Sequence, residues 1–180
     1  GNSTWEYLNF FNGSISSVKV YNRALSAVEV KNLYNSSKPK ISSASVDSGL
    51  IGYWPLDGDN YNSSTNRVTD KTPYENHGIN TGASLTTDRN GRANGAMSFN
   101  GIDNRVSINY VNPVKKTSVV AWFKRSGVPA GAYHIITGGG NVEISIPDAT
   151  GAIRTGIYTT TQGRKVFNSG SGLVDGDWHQ

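Results

Sequence analysis

The stretch that decides the fold is residues 10–34, FFNGSISSVKVYNRALSAVEVKNLY. Near its start, Asn12-Gly13 is a dipeptide that tolerates the positive φ angles of tight turns, so a turn is predicted there. From Ile15 to Val20, apolar β-branched residues alternate with Ser and Lys, which predicts a strand with one solvated face. The alternation slips by one residue near Ser16-Ser17.

A short helix is predicted directly after this strand, over residues 26–34. Ser26 can accept a hydrogen bond from the backbone N–H of Glu29, and the Glu29 side chain can reach back, which makes a capping box. Three apolar side chains are expected on one side of the helix: Leu25, Val28 and Leu33. Residues 35–48 are then rich in Ser, with Lys and one Pro, the composition of a linker.

The remainder of the chain predicts many short strands. GLIGYWPLDG, at 49–58, is a nearly continuous apolar run, typical of a strand covered on both faces. Residues 117–125 alternate, with Trp122 and Phe123 on opposite faces, and this strand is predicted to be central with Trp122 buried. A polar loop is predicted at 57–78, and further strands at 95–108, 133–137, 142–146, 152–160, 164–167 and near the final DGDWHQ. Turn residues separate them, so we predict an all-β fold, an antiparallel two-sheet β-sandwich with one short helix.

Composition and charge argue against several classes of function. The chain has no Cys, which excludes disulfides, thiol catalysis and thiolate metal sites. The net charge is +4, but the basic residues are scattered in pairs, so no nucleic-acid partner is predicted. No apolar run approaches the ~20 residues that cross a bilayer, so no membrane insertion is predicted.

The motifs together resemble one family. The pattern F-x-G-x-I-x-x-V-x-x-Y-N-R-A-L-S-x-x-E, from Phe11 to Glu29, resembles the closing segment of laminin G-like domains, which are concanavalin A-like jelly rolls. GLIGYWPLDG resembles the first strand of these domains. Four later motifs are also similar: Asp70 with Asn76-His77-Gly78, AMSFNG with Asp103 and Val106, SVVAWFK, and Asp175-Gly-Asp-Trp-His179. The resemblance implies a jelly-roll fold more firmly than any particular ligand.

The order of these motifs differs from that of the family. The closing segment comes first, so residues 1–34 are interpreted as the closing strand and short helix of a laminin G-like module. Residues 35–48 are interpreted as a Ser/Lys/Pro linker, and residues 49–180 as the N-terminal part of a laminin G-like β-sandwich. In the family, further strands follow the Trp-His strand; here the sequence stops at Gln180.

The segment 10–34 can complete a β-sheet in two ways, which we call its two closures. It can fold back onto its own 49–180 region, since an extended linker reaches roughly 45 Å and a domain of this size is ~40 Å across. Alternatively it can complete the preceding module or subunit by strand donation, a contact that propagates head to tail. The spacer-like linker favours the second closure. The assembly contacts are expected from six apolar side chains: Phe11, Ile15, Val18, Val20, Tyr21 and Leu25.

No enzymatic activity is predicted from the acidic residues and histidines. Glycan hydrolysis needs two carboxylates facing each other across the substrate. The chain has four Glu, and no two stand at the spacing that would pair them on one strand or helix: Glu6, Glu29, Glu75 and Glu143. The three His have no metal-ligand spacing either.

Calcium, as a structural ion, is the one candidate cofactor. Calcium takes oxygen ligands from carboxylates, Asn side chains and carbonyls in loops, and the resemblance implies that the relevant loops meet at one rim. The candidate ligands are Asp57, Asp70, Asn100 and Asp103. The same residue types also form Asx-turns without an ion, and this alternative stays open.

Two further sets of residues are candidates for contact with sugars or for modification. Sugars stack on aromatic rings in polar surroundings, and three residues qualify: Trp5, Tyr61 and Tyr74. Asn-x-Ser/Thr triplets, the acceptors of N-glycosylation, begin at four positions: Asn2, Asn12, Asn35 and Asn62.

These features predict a non-catalytic, extracellular or cell-surface module of a surface or filament protein. Its expected partners are modules of the same type, arranged head to tail, and its expected role is structural assembly and adhesion through strand complementation. The alternative is a carbohydrate-binding, lectin-like module that binds glycans, with calcium as its ion.

Overall fold

The structure is a computed structural model. It describes residues 10–36, 48–108, 117–126, 133–138, 142–146, 152–159, 163–168 and 171–180. These residues are mostly β, as predicted, with antiparallel sheets and one α-helix.

The elements follow one another closely along the chain. In order they are β1 (Asn12–Tyr21), α1 (Ala27–Asn35), β2 (Leu50–Trp54), a 3₁₀-helix (Gly58–Asn60), β3 (Tyr61–Asn62), β4 (Arg67–Val68), β5 (Gly78–Thr81), β6 (Ser84–Thr86), β7 (Ala96–Asn100), β8 (Arg105–Ile108), β9 (Ser118–Ser126), β10 (Tyr133–Gly138), β11 (Val142–Ile146), β12 (Arg154–Thr159), β13 (Gly163–Asn168) and β14 (Asp175–His179).

The strands form three sheets. The large sheet has six strands in the order β14-β9-β1-β7-β6, with β2 also paired to β1. The second sheet has the order β10-β11-β12-β13, and the small sheet has the order β3-β4-β5-β8. The predicted central position of β9 is confirmed, since β9 lies between β14 and β1.

The loop predicted at 57–78 differs most from the structure. It contains the 3₁₀-helix, β3 and β4, and the hairpin between β3 and β4 turns through Asn66, which has a φ of 56°. Strands of two residues are too short to show an alternating pattern, so the sequence gives no signal for them. Strands β5 and β6, of four and three residues, are not predicted by the sequence either.

The hydrophobic core lies between the large sheet and the small sheet. It contains side chains from both, together with residues of the connecting loops: Phe11, Ile15, Val18, Trp54, Leu56, Val68, Ala83, Met97, Phe99 and Phe123. Trp54 is 1% exposed, and its indole N–H donates to the Asn76 carbonyl oxygen at 2.8 Å. A Cβ at Gly52 would lie 2.3 Å from the Trp54 ring, so this position of β2 requires glycine.

Candidate assembly site

Strand β1 joins the other strands of the large sheet. One of its edges pairs with β9, from Ser14 opposite Lys124 to Tyr21 opposite Ser118. The other edge pairs with β7 along its first half and with β2 along its second half. In the described part of the chain, β2, β7 and β9 are therefore held in one sheet only through β1.

A β-bulge at Ser16 and Ser17 marks the change of partner, as the slip in the alternation predicted. The register to β9 shifts between Ser16 and Lys19, and Ser17 has a φ of 55°. The Ser17 backbone N–H donates to the Pro55 carbonyl oxygen at 2.9 Å instead of to a strand partner. Because the bulge adds one residue, Ile15 and Val18 both reach the core in spite of their odd spacing.

The predicted turn at Asn12-Gly13 is wrong, because both residues belong to β1. The glycine is nevertheless required: Gly13 has a φ of 147°, and a Cβ there would lie 2.3 Å from the Lys124 carbonyl oxygen of β9. The sequence therefore predicted a positive φ at this position correctly. Gly13, however, allows two strands to approach each other closely and does not reverse the chain.

The six predicted assembly residues all contact the rest of the chain. Phe11, Ile15, Val18 and Tyr21 are buried, and Val20 packs partly buried against the core. Leu25, just before the helix, donates its backbone N–H to the Ser118 hydroxyl at 3.1 Å. These contacts are made within one chain, so the structure has the intramolecular closure and not the strand donation that the spacer-like linker favours.

Helix α1 begins at the predicted capping box. Ser26 Oγ accepts from the Glu29 backbone N–H at 3.3 Å, and Glu29 Oε2 accepts from the Ser26 backbone N–H at 2.8 Å. Arg23 binds Glu29 with an N–O distance of 2.6 Å and also donates to the Ser48 carbonyl oxygen at 2.6 Å. The Arg23 hydrogen bond, together with those from Ser26, lowers the pKa of Glu29 to about 2. Arg23 therefore connects the start of α1, through Glu29, with Ser48, which lies two residues before β2.

The predicted contact face of α1 is confirmed only in part. Leu33 is buried, but Val28 is 68% exposed. The helix lies on the outer face of the large sheet, away from the core, where Tyr34 stacks on Trp122 with ring centroids 5.3 Å apart. Trp122 is buried, as predicted, but opposite to the core residue Phe123.

Arg89 covers Trp122 as well. Its guanidinium carbon lies 4.2 Å from the centre of the Trp122 ring, and its NH2 group donates to the Ser36 carbonyl oxygen at 3.0 Å. Burial lowers the pKa of Arg89 from its ordinary value. Tyr34, Trp122 and Arg89, which we call the aromatic clamp, thus hold the end of α1 against the large sheet.

A groove of about 450 Å³ lies beside the aromatic clamp on the outer face of the large sheet. Arg92 crosses it and binds Asp57 at 2.7 Å, Asp59 at 3.2 Å and Asp88 at 3.6 Å. The hydrogen bond to Asp57 is the main cause that raises the pKa of Arg92. The sequence does not predict this network, because Asp57 and Asp59 lie about 30 residues before Asp88 and Arg92.

Two of the four predicted calcium ligands, Asp57 and Asp70, lie in separate loops and have protein partners. Both Asp70 oxygens accept hydrogen bonds from protein donors, among them the backbone N–H groups of Tyr53, Thr72 and Asn76. Asp57 caps the 3₁₀-helix and binds Arg92. These carboxylates make the Asx-type contacts that the sequence analysis gave as the alternative.

Two of the predicted calcium ligands are brought together. Asn100 Nδ2 donates to Asp103 Oδ1 at 2.9 Å, while Asn100 Oδ1 accepts from the backbone N–H groups of Ile102, Asp103 and Asn104. Among the described residues, no group of three or more His, Asp or Glu side chains is placed to hold a metal ion. Calcium at these residues stays a prediction.

The predicted sugar-contacting aromatics have different environments. Tyr74 is 61% exposed in the loop before β5. Tyr61 packs against the core, and its hydroxyl contacts the side chains of Asn66 and Asn80, each at 3.1 Å. Trp5 lies outside the described residues.

Comparison of the chain with models of protein families, with curated proteins and with solved structures finds no match. The laminin G-like resemblance therefore stays an interpretation of the sequence motifs. Within the described residues, no helix combines the length and the apolar character needed to span a membrane.

Proposed function

We propose that the chain is a non-catalytic, extracellular laminin G-like β-sandwich of a surface or filament protein, which acts in structural assembly and adhesion by strand complementation. The observation that supports this proposal is the position of β1, whose two edges pair with β9, β7 and β2. A sheet that depends on one strand from a separate part of the sequence can take that strand from its own chain or from a neighbour.

A second copy offers the same contacts that β1 makes within its own chain. Exchange of an identical element is a low-cost route to association, because every native contact is kept and only the connection changes. In a polypeptide with successive modules the local concentration of the neighbouring strand is high, which favours exchange without any new contact. The extracellular location and the head-to-tail partners belong to this proposal.

The connection between α1 and β2 provides the test. Arg23 contacts both Glu29 and the Ser48 carbonyl oxygen, so Ser48 lies beside the start of α1, whereas Ser36 follows its end. A helix of this length is about 13 Å long. Deletion of residues 38–47 leaves only Ser37 between Ser36 and Ser48, a connection that reaches about 7 Å.

The deletion protein cannot place both α1 and β2 as they are in the intact chain. We expect it to form dimers or larger species that keep a β-rich circular dichroism spectrum, measured with light scattering after size-exclusion chromatography. A Gly/Ser replacement of residues 38–47 at equal length should stay a monomer. A deletion protein that is a folded monomer, or that does not fold at any concentration, would show that neighbours do not supply the strand.

Carbohydrate binding is a second candidate, favoured by the exposed ring of Tyr74. An apolar sugar face can stack on an exposed tyrosine ring. A glycan array probed with the intact protein, with and without calcium, should show binding that Tyr74→Ala removes and Tyr74→Phe keeps. Binding that is equal in all three proteins, or no binding at all, would exclude this role of Tyr74.

A further inference from the structure

The hairpin between β3 and β4 carries the triplet Asn62-Ser63-Ser64 at an exposed tip. Asn62 Oδ1 accepts from the backbone N–H groups of Ser64 at 3.0 Å and Thr65 at 3.2 Å. This pair of bonds is an Asx-turn, which folds the triplet back on itself. The side-chain oxygen of Asn62 is thus occupied, while its amide nitrogen Nδ2 has no hydrogen-bond acceptor among the described residues.

The side chains of Asn12 and Asn35 are exposed as well, but both residues lie in regular secondary structure and not in a turn. Asn12 is the first residue of β1 and is paired with Asn100, and a Cβ added at Gly101 would lie 2.7 Å from the Asn12 Cβ. The backbone of the Asn12-Gly13-Ser14 triplet is therefore fixed in an extended, paired conformation. Asn35 is the last residue of α1, where the Ser36 backbone N–H donates to the Asn32 carbonyl oxygen. The triplet at Asn2 lies outside the described residues.

We propose that Asn62 is an N-glycosylation site in the folded protein. The donor is a saccharide linked to a polyprenyl diphosphate. Asn62 Nδ2 attacks C1 of the saccharide, the bond from C1 to the diphosphate oxygen breaks, and the polyprenyl diphosphate leaves with the bonding electron pair. The proton lost from Nδ2 passes to a base of the transferase. A hairpin tip suits this transfer because the enzyme must reach the amide and the Ser64 hydroxyl together.

A saccharide at Asn62 would also change the sheet edge on which it stands. In the described part of the chain, β3 is an edge strand of the small sheet and pairs only with β4. Edge strands are templates for pairing with other chains, and bulky polar groups protect them. Glycosylation at this edge would therefore block non-specific pairing there and leave the contacts of β1 on the large sheet unaffected.

The test uses the folded, full-length protein, a purified oligosaccharyltransferase that accepts short Asn-x-Ser peptides, and its lipid-linked donor. Peptide mapping by mass spectrometry should find one saccharide on Asn62. Asn62→Gln and Ser64→Ala should both lose it completely. Ser64→Ala is the more specific variant, because the Asx-turn uses the Asn62 side chain and backbone N–H groups, so the turn remains.

The matched controls are Ser64→Thr, which keeps a hydroxyl and should keep the modification, and Asn12→Gln and Asn35→Gln, which should leave it unchanged. An acceptor peptide in the same reaction confirms that the enzyme is active. The proposal is wrong if the peptide is modified and Asn62 is not, or if Ser64→Ala is modified to the same extent as the unchanged protein.

Discussion

The aromatic clamp makes Trp122 the residue through which α1 is attached to the large sheet. Trp122 is 7% exposed, although it points away from the core, because Tyr34 and Arg89 cover it. Replacement of Trp122 by Ala removes the surface on which both neighbours rest. We therefore expect Trp122→Ala to destabilise the protein and to loosen α1 in particular.

The size of this effect follows from the contacts of the indole ring. Truncation of a buried Phe or Trp to Ala costs about 3–5 kcal/mol in the free energy of unfolding. The stack on Tyr34 contributes about 0.5–1.5 kcal/mol of this, and the Arg89 guanidinium about 0.5–2 kcal/mol, depending on its desolvation. Because one exposed helix covers the site and can relax towards the gap, the lower end, about 3 kcal/mol, is expected.

Urea unfolding followed by circular dichroism measures the change, and a double-mutant cycle separates its parts. Tyr34→Ala alone should cost about 1 kcal/mol, and its coupling with Trp122→Ala should be about 0.5–1.5 kcal/mol. Met97→Ala, in the core, is the control: it should be destabilising as well but show no coupling to Tyr34. A loss below about 1 kcal/mol for Trp122→Ala, or zero coupling, would refute the clamp.

Three further predictions concern polar groups. Because the pKa of Glu29 is lowered from 4.5 to about 2, its contribution to stability is fully present above about pH 4.5 and is lost as the pH falls towards 2. Glu29→Gln should remove this pH dependence of the free energy of unfolding, measured with urea. An unchanged pH dependence in the variant would contradict the prediction. Asp70→Ala should cost at least about 3 kcal/mol because several interior donors lose their acceptor, whereas Asp103→Ala in an exposed turn should cost less than about 1 kcal/mol. Calcium, where bound by the predicted ligands, should raise the melting temperature of the folded protein; equal melting temperatures in calcium and in chelator would contradict that prediction.

Local patterns predicted the local structure of β1 and α1 well. The strand, its bulge at Ser16-Ser17 and the capping box at Ser26 and Glu29 are all present. Each of these features depends on residues within four positions of one another, so the sequence alone contains the necessary information. The same is true of β11, whose bounds agree with the predicted strand at 142–146.

Tertiary contacts explain what the sequence did not predict. The spacing of apolar residues on α1 does not reveal the whole contact face: it predicts Val28 on that face, but Val28 is exposed and Tyr34 makes the contact with Trp122. Similarly, the alternation along β9 separates Trp122 from Phe123 but does not tell which of the two faces the core. Which face of α1 and which face of β9 are covered depends on contacts between residues that are distant in sequence. A local pattern contains no information about such contacts.

The burial of β1 restricts when strands could be exchanged. Phe11, Ile15, Val18 and Tyr21 are each at most 8% exposed. Burial of a large apolar side chain contributes about 1.5–3 kcal/mol to the free energy of unfolding. Withdrawal of all four side chains therefore costs much of the total for a typical domain, which is roughly 5–15 kcal/mol. A folded monomer would therefore not release β1 without unfolding. Exchange is instead decided while the chain folds, when β1 and a neighbouring unfilled sheet are both available. Successive modules of one polypeptide meet this condition, whereas two folded monomers that are mixed do not.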